Sequence, residues 1–159
     1  RDWVKALQAR IGHHLPAHWR VCGENVYAKH AIYYPSLPSY FLMFAVWDEH
    51  NQCLDWDSTQ DWASLLGVPT PKVLYRGVWQ QAWFDEYTVD EANSEGYVVR
   101  LASRFAYDDF AGSVAKWVRR QHVQSDKHWM HSAIECNHLR ANDCDTGDGQ
   151  VDKLRGYYE

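Results

Sequence analysis

The sequence predicts a single α+β unit in which mainly antiparallel sheets are flanked by helices. Short apolar runs of strand-like length outnumber the segments with helical spacing, and short connections between the runs favour antiparallel pairing. The chain has 159 residues, 46% of them hydrophobic, without an internal repeat or a linker-like segment. We therefore expect one domain over residues 1–140, followed by an acidic, turn-rich C-terminal segment over residues 141–159.

The chain begins with a predicted helix and a predicted strand. Residues 1–14 place apolar side chains on one side of a helical wheel, and Gly12 ends the helix. Because Arg1 already stands within the helical pattern, we expect the chain to be a fragment of a longer protein. Residues 19–30 predict a strand interrupted at 22–25 (CGEN), where glycine lets the backbone bend or approach another group closely.

The next segment predicts a buried strand, a turn and a second helix. Residues 40–47 (YFLMFAVW) form a continuous apolar run without a helix cap, which is typical of a strand buried on both faces. Residues 49–52 predict a hairpin turn. Ser58 and Asp61 resemble a capping box at the start of a helix that Gly67 ends.

Three more strands are predicted in the second half of the chain. Residues 73–75 predict a short strand after a proline-containing segment. Residues 95–102 (EGYVVRLA) alternate in polarity and place a glycine directly after an acidic residue, and residues 114–118 (VAKWV) predict the last strand.

The charge of the chain is low overall but uneven. The net charge is −5, so no global basic field indicates a nucleic-acid-binding protein. Basic residues are concentrated in one short stretch: Arg100, Arg104, Lys116, Arg119, Arg120 and Lys127. Nine Trp and ten Tyr are many for this length. Most of these rings are expected in the core, although Tyr and Trp are also suitable surfaces on which nucleic-acid bases stack.

The cysteines and the potential metal ligands indicate neither a disulfide framework nor a structural metal site. The four cysteines form no CxxC pair, and no secretory signal or membrane-spanning apolar run is present. We therefore expect free thiols, a cytoplasmic location and no membrane partner. Segment 143–149 departs from a calcium loop at the required glycine and glutamate, so it is interpreted as a solvated turn. Five suitable zinc ligands match no structural-zinc spacing: His128, His131, Cys136, His138 and Cys144.

Four residues supply the chemical groups that nucleotidyl transfer requires. A carboxylate at a strand edge holds a divalent cation, and basic side chains neutralise the charge of a phosphate in transfer. An aromatic face and a second carboxylate fix the nucleoside. The candidates, in that order, are Glu95, Lys116, Phe44 and Glu24. Taken singly, each is more readily explained as a solvated or core side chain, so the prediction depends on their joint order.

This order and spacing resemble the ligase branch of the covalent nucleotidyltransferases, and most closely the RNA-ligase-domain proteins of bacteria and phages. Between Arg20 and His131, the matching blocks are RVCGENVYAKH, YFLMFAVWD, EGYVVR and AKWVRRQHVQSDKHWM. The resemblance implies a partial, ATP-grasp-like nucleotidyltransferase domain. It also implies an ATP-dependent RNA ligase that seals 5′-phosphate and 3′-hydroxyl ends through an enzyme–AMP intermediate. ATP and Mg²⁺ (or Mn²⁺) are then the cofactors, and RNA or nicked nucleic acid is the partner.

The resemblance also implies roles for single residues. Glu24 contacts the ribose hydroxyls of ATP, and Phe44 stacks on the adenine, with Phe41 as the alternative if the strand face differs. Glu95 binds the catalytic metal, and Lys116 contacts the α-phosphate of the nucleotide.

The sequence departs from the family in two motifs. Where the family often has a second lysine, two residues after Lys116, this chain has Val118, and Arg119 is the next basic residue. Which side chain takes over that role stays open. The family also forms its AMP adduct on the lysine of a Lys-x-Asp-Gly segment, a case of nucleophilic catalysis. None of the six lysines of this chain stands in such a segment.

Two functional hypotheses therefore follow. In the first, the chain is part of an RNA ligase whose nucleophilic lysine precedes Arg1, so that the chain alone cannot adenylylate itself. In the second, it is a non-catalytic module that binds a nucleotide or RNA through stacking and the basic stretch. The ordered set of Glu24, Phe44, Glu95 and Lys116 favours the first, and the missing nucleophile favours the second.

Overall fold

A computed structural model describes residues 2–120 and 135–140 of the chain. In this part the fold is α+β with antiparallel strand pairing, as the sequence predicts. Two single turns of 3₁₀ helix, at Gly12–His14 and Tyr107–Asp109, accompany the main elements. In chain order these elements are α1 (Asp2–Ile11), β1 (Arg20–Asn25), β2 (Phe41–Trp47), β3 (Gln52–Cys53), α2 (Trp56–Leu65), α3 (Gln81–Glu86), β4 (Gly96–Arg100), β5 (Phe105–Ala106), α4 (Phe110–Ser113) and β6 (Val114–Val118).

The strands of the described part form two antiparallel sheets. The first sheet has the strand order β1-β2-β3-β5, and the second consists of β4 and β6. Both sheets draw on distant parts of the chain, since β5 lies between β4 and β6 in sequence but pairs with β3 in the first sheet. The strands of the two sheets are therefore interleaved along the chain.

The two faces of the first sheet carry different hydrophobic clusters. On one face, Met43 and Val46 of β2 pack with residues of α1 and α2, among them Leu7, Ile11 and Ala63. On the other face, the buried residues are Ala45, Trp47, Cys53 and Phe105, against which Cys22 and Val114 pack. Because Val114 belongs to β6, this second face is the one on which the second sheet rests.

A β-bulge in β2 explains how both faces receive apolar residues from one continuous run. Cys22 pairs with Ala45 and the next residue, Gly23, pairs with Met43, so Phe44 is the extra residue on β2. The bulge shifts the alternation of side chains by one position at this point. Sequence analysis predicted a strand buried on both faces; this is wrong for Phe44, whose side chain is 41% exposed.

The outer face of the second sheet is covered by aromatic residues. Tyr97 and Trp117 are cross-strand partners whose rings stack at 5.4 Å between centroids. Phe84 of α3 and the following Tyr87 pack their rings against Tyr97. Much of the high aromatic content of the sequence is therefore the packing of this small sheet, as expected for a sheet too small to have a separate aliphatic core.

The segment 135–140 lies against the long connection between β1 and β2. Asn137 is 1% exposed, and its Oδ1 accepts a hydrogen bond of 2.8 Å from the backbone N–H of Tyr34. Backbone pairing accompanies this contact, because Ala28 forms a bridge with Cys136 and Leu37 with Leu139. The connection of residues 26–40 is thereby given an ordered backbone path.

Three sequence-based predictions are corrected by the structure. The predicted strand over residues 19–30 ends at Asn25, because the backbone turns there into the connection that Asn137 holds. Residues 73–75 are not a strand, and the aromatic ring of Tyr75 packs against Trp83 instead. The second helix begins at Trp56 with Asp55 as its N-cap, so Ser58 and Asp61 do not form the predicted capping box. The end of this helix at Gly67, which has φ 63°, is confirmed.

Asp55 should contribute measurably to stability, whereas Asp61 should not. The carboxylate of Asp55 accepts hydrogen bonds from the backbone N–H and the hydroxyl of Ser58, at 2.9 and 2.8 Å. We expect Asp55→Ala to lower the free energy of unfolding by about 1 kcal/mol. The exposed Asp61→Ala is the matched control and should leave it nearly unchanged; urea unfolding of both variants measures the difference.

The same pair of variants has a predicted pH dependence. The hydrogen bonds from Ser58 lower the pKa of Asp55. Its contribution is therefore present above the ordinary aspartate pKa of about 4 and lost as the pH falls through the lower folded-state value. The stability gap between the wild-type chain and Asp55→Ala should close in that acidic range. A gap that persists well below it would show that the carboxylate is not the cap.

Candidate functional site

Glu24 and Phe44 lie on the same face of the first sheet. Glu24 follows Cys22 by two residues on β1 and therefore shares its face, the one that the second sheet covers in part. Phe44 directly follows Met43, which packs on the opposite face, so alternation places Phe44 on the face of Glu24; both residues are exposed. The bulge leaves Phe44 as an extra residue directly before Ala45, whose side chain packs on the same face.

Phe41 is directed into the opposite side of the sheet. Its ring packs against the cluster formed with α1 and α2, and it lies so close to Gly23 that a Cβ there would collide with it. This close approach is the reason for glycine at position 23, directly before Glu24. Of the two phenylalanines that sequence analysis considered, only Phe44 presents its ring on the surface that Glu24 shares.

Lys116 lies on the face of the second sheet that is turned toward the first. Lys116 pairs with Val98 across the strands, and directly opposed residues share a face. On the same face are Arg100 and its partner Val114, both of which contact the first sheet. Lys116 is exposed, and Val98 exposes 58% of its surface. Val98 and Lys116 are therefore an exposed cross-strand pair of an apolar side chain and a cation on this face.

Arg100 joins the two sheets at this point. Its guanidinium donates hydrogen bonds of 2.9 Å to the backbone carbonyl of Phe44 and of 2.9 Å to that of Leu54. It also lies 5.5 Å from the ring centre of Trp56 and 5.4 Å from that of Phe105. The last residue of the EGYVVR block is thus a structural bridge that binds the backbone of the bulge residue.

Glu95 stands at the start of β4, immediately before Gly96. The backbone carbonyl of Glu95 accepts a hydrogen bond of 3.0 Å from the N–H of Arg119, which continues the ladder between β4 and β6. Gly96 approaches the backbone of Trp117 and Val118 so closely that any Cβ would collide with it. Gly96, which sequence analysis noted directly after Glu95, is therefore required by the close approach of β6.

Arg119 folds back along the second sheet. Its Nη1 donates a hydrogen bond of 2.6 Å to the carbonyl of Glu91, and its Nε is buried without a hydrogen-bond partner within residues 2–120 and 135–140. Arg119 is half-buried, unlike the exposed Lys116 and Val118. It thus lies beside Glu95, with part of its guanidinium engaged by the backbone.

Tyr34 is a residue of this region that sequence analysis missed. Its phenol is half-buried, and burial is the largest cause that raises the pKa of the hydroxyl. The charges of Glu95 and Glu24 raise this pKa further, and the charge of Arg119 opposes them. The backbone N–H of Tyr34 is bound to Asn137 Oδ1 at 2.8 Å. The connection between β1 and β2 carries no motif from which this placement follows.

Val98 was also missed, although the sequence contains a signal for it. It lies two residues before Arg100 on the same strand, so its side chain shares the face of Arg100.

Two arginines of the predicted basic stretch make hydrogen bonds within the protein. Arg100 holds backbone carbonyls, and Arg104 donates a hydrogen bond of 3.1 Å to the buried Asp48. Lys127 lies outside the described residues.

The potential metal ligands are few. Within residues 2–120 and 135–140, no group of three or more His, Cys, Asp or Glu side chains is arranged to hold a metal ion. Glu95 fits a cation that is held mainly by phosphates and water, because Mg²⁺ is usually bound by one or two carboxylates besides its substrate. Of the five residues considered for zinc, Cys136 and His138 pack against the β1–β2 connection, whereas His128, His131 and Cys144 lie outside the described residues, as does segment 143–149.

Two further properties concern the described residues as a whole. Cys22, Cys53 and Cys136 are free thiols, and Cys144 lies outside this part of the chain. Among the described helices, none is both long and apolar enough to cross a membrane.

Comparison with known proteins yields one match. The sequence model of the family described as RNA ligase matches residues 1–118, which include β1, β2, β4 and β6 with Glu24, Phe44, Glu95 and Lys116. No curated protein and no solved structure gives a significant match.

Replacement of Arg100 should loosen the junction of the sheets. In Arg100→Lys the positive charge is kept, but one ammonium cannot reach the carbonyls of both Phe44 and Leu54. We expect the free energy of unfolding to fall by about 1–2 kcal/mol, since charge-assisted hydrogen bonds to partly exposed carbonyls are lost. Urea unfolding measures the effect, with Arg10→Lys on the exposed surface of α1 as the control. Equal stability of both variants would contradict the assigned bridge.

Proposed function

The chain belongs to the RNA ligase family, and on this premise we propose that it forms the ATP-binding part of an ATP-dependent RNA ligase. The reaction joins a 5′-phosphate to a 3′-hydroxyl end of RNA or nicked nucleic acid through an enzyme–AMP intermediate. The single observation that carries the proposal is the arrangement around Arg100. There, the exposed Phe44 of one sheet and the exposed Val98 and Lys116 of the other stand on surfaces that meet.

The nucleoside is proposed to bind between the two sheets. The adenine stacks on the ring of Phe44, and Val98 supplies an apolar wall from the second sheet. Glu24 is exposed on the same face as Phe44, so its carboxylate can accept hydrogen bonds from the ribose hydroxyls. Phe41 is not part of this proposal, because its ring is packed against the helices.

The phosphates are proposed to lie toward the second sheet. Lys116 is exposed there and provides a point charge for the α-phosphate. Glu95 would hold Mg²⁺ or Mn²⁺, which when bound neutralises charge on the phosphates. Arg119, whose guanidinium is partly engaged with Glu91, is suited to strengthen the positive field near Glu95 rather than to follow the moving phosphate. Val118, at the position of the family's second lysine, supplies no charge.

The proposal assigns binding and orientation to this chain, and not the covalent step. None of its six lysines stands in a Lys-x-Asp-Gly segment, which is where the family forms the AMP adduct. Residues of the chain would hold ATP and the cation in a fixed geometry, which is a major part of the catalysis of phosphoryl and nucleotidyl transfer. Free thiols and the use of ATP are consistent with a cytoplasmic protein.

Binding of ATP by this chain is the first expected result. Isothermal titration calorimetry with ATP and Mg²⁺ should detect it, and Phe44→Ala should weaken it about tenfold or more because a stacking surface is lost. Lys116→Met should weaken it about tenfold because a charged contact to phosphate is lost. Lys5→Met, at an exposed lysine of α1, is the control and should bind as the wild-type chain does.

Formation of an AMP adduct tests the reaction itself. Intact-protein mass spectrometry after incubation with ATP and Mg²⁺ should reveal an adduct on the complete gene product and none on this chain. Glu95→Gln in the complete product should slow adduct formation by about a hundredfold or more, because the cation loses its carboxylate. Unchanged nick sealing by this variant would contradict the assigned role of Glu95. ATP binding without an adduct on the complete product would favour the non-catalytic binding module.

A further inference from the structure

We propose that Asn137 is a positioning residue for Glu24, because it closes the end of the β1–β2 pair that carries this carboxylate. The inference rests on the proposed function, since it extends the same nucleoside site. It makes segment 135–140, which lies beyond the residues matched by the family, a required part of that site.

Glu24 stands near the end of the strand pair from which the long connection leaves. It is the last residue but one of β1 and pairs with Leu42 of β2. After the next pair, Asn25 and Phe41, both strands end and the connection of residues 26–40 begins. The ends of a strand pair open more readily than its middle, because fewer neighbouring hydrogen bonds hold them. Since Glu24 is exposed, its carboxylate takes its position mainly from this backbone.

Asn137 binds the chain on both sides of this end. The backbone N–H of Val26 donates a hydrogen bond of 2.9 Å to the carbonyl of Tyr40, which extends the ladder one step beyond β1 and β2. Asn137 Nδ2 donates a hydrogen bond of 2.8 Å to the carbonyl of Val26. The backbone carbonyl of Asn137 accepts one of 3.2 Å from the hydroxyl of Tyr40. One residue thus connects the chain that leaves β1 with the chain that enters β2.

Asn137 is itself held firmly. It is 1% exposed, its backbone N–H donates a hydrogen bond of 2.9 Å to the carbonyl of Tyr27, and its Oδ1 accepts one of 2.8 Å from the N–H of Tyr34. The backbone and side-chain polar groups of this asparagine are therefore all bonded. Any displacement would leave a buried polar group unpaired, so Asn137 holds the end of the strand pair in one arrangement.

Two neighbouring residues allow the contact to be tested with small changes. The ring of Tyr40 packs edge-on against the rings of Tyr27 and Trp3, so Tyr40→Phe keeps this packing and removes only the hydrogen bond to Asn137. Lys29 is the matched control, because its ammonium forms an ion pair of 2.6 Å with Glu135 of the same segment. Lys29→Ala removes this ion pair and none of the hydrogen bonds of Asn137.

Recognition of the ribose distinguishes positioning of Glu24 from general loosening. Glu24 is proposed to accept hydrogen bonds from the ribose hydroxyls, and dideoxy-ATP lacks both of them. In calorimetric titrations with Mg²⁺, the wild-type chain should bind ATP about tenfold more tightly than dideoxy-ATP, and Glu24→Ala should bind both about equally. Asn137→Ala should reduce the preference for ATP to about threefold or less, and Lys29→Ala should keep it.

The outcomes separate the inference from the proposed function. If the wild-type chain prefers ATP and Glu24→Ala abolishes the preference, but Asn137→Ala retains it in full, the inference is overturned while the proposed function stands. Equal weakening of ATP and dideoxy-ATP in Asn137→Ala has the same meaning, because it shows a purely structural role. If the wild-type chain binds no ATP, the proposed function and the inference both fall.

Two further variants keep the inference testable. The double variant Glu24→Ala with Asn137→Ala should bind ATP as Glu24→Ala alone does, since no carboxylate remains to be positioned. A clear further loss in the double variant would overturn the positioning role. If Asn137→Ala does not fold, Tyr40→Phe decides. It should lower the preference for ATP about twofold or more, and an unchanged preference overturns the inference.

Discussion

The guanidinium of Arg100 is the interaction on which the arrangement of the molecule depends. It belongs to the second sheet, yet its hydrogen bonds end on backbone carbonyls of β2 and of the segment after β3. One of these carbonyls belongs to Phe44, the bulge residue, which has no partner residue in the register between β1 and β2. A single planar donor thus stabilises an irregular strand and sets the separation of the two sheets. Together with the packing of Val114 on the first sheet, this junction fixes how β4 and β6 lie against β2.

Much of the fold was predictable because local signals and tertiary packing agree. The strand Val114–Val118 has the predicted bounds, and the predicted apolar run contains β2 almost residue for residue. The predictions failed for two different reasons. Asp55, three residues before Ser58, is itself a preferred N-cap residue, and its carboxylate accepts both hydrogen bonds from Ser58. The segment at 73–75 packs on α3 instead of pairing, and this tertiary contact is not contained in its local pattern.

The candidate site was predictable to the extent that its residues occupy motifs. Glu24, Phe44, Glu95 and Lys116 follow from four ordered blocks, and their functional roles remain proposals. Phe41 and Phe44 could not be distinguished from sequence, because the packing of Phe41 on α1 and α2 is a tertiary contact. Tyr34 and Asn137 could not be found at all. The hydrogen bond between them joins residues 103 positions apart in the chain, and neither residue belongs to a sequence motif that would predict it.

This long separation has a consequence for synthesis on the ribosome. The β1–β2 connection is translated early, but the asparagine that orders it is added more than a hundred residues later. Until Asn137 has left the exit tunnel, the carbonyls of Val26, Tyr27 and Ala28 have only water as their partner at this point. The nascent chain can therefore build its first hairpin and helices while the β1–β2 connection still lacks these partners. Vectorial synthesis delays the ordering of this connection until segment 135–140 docks.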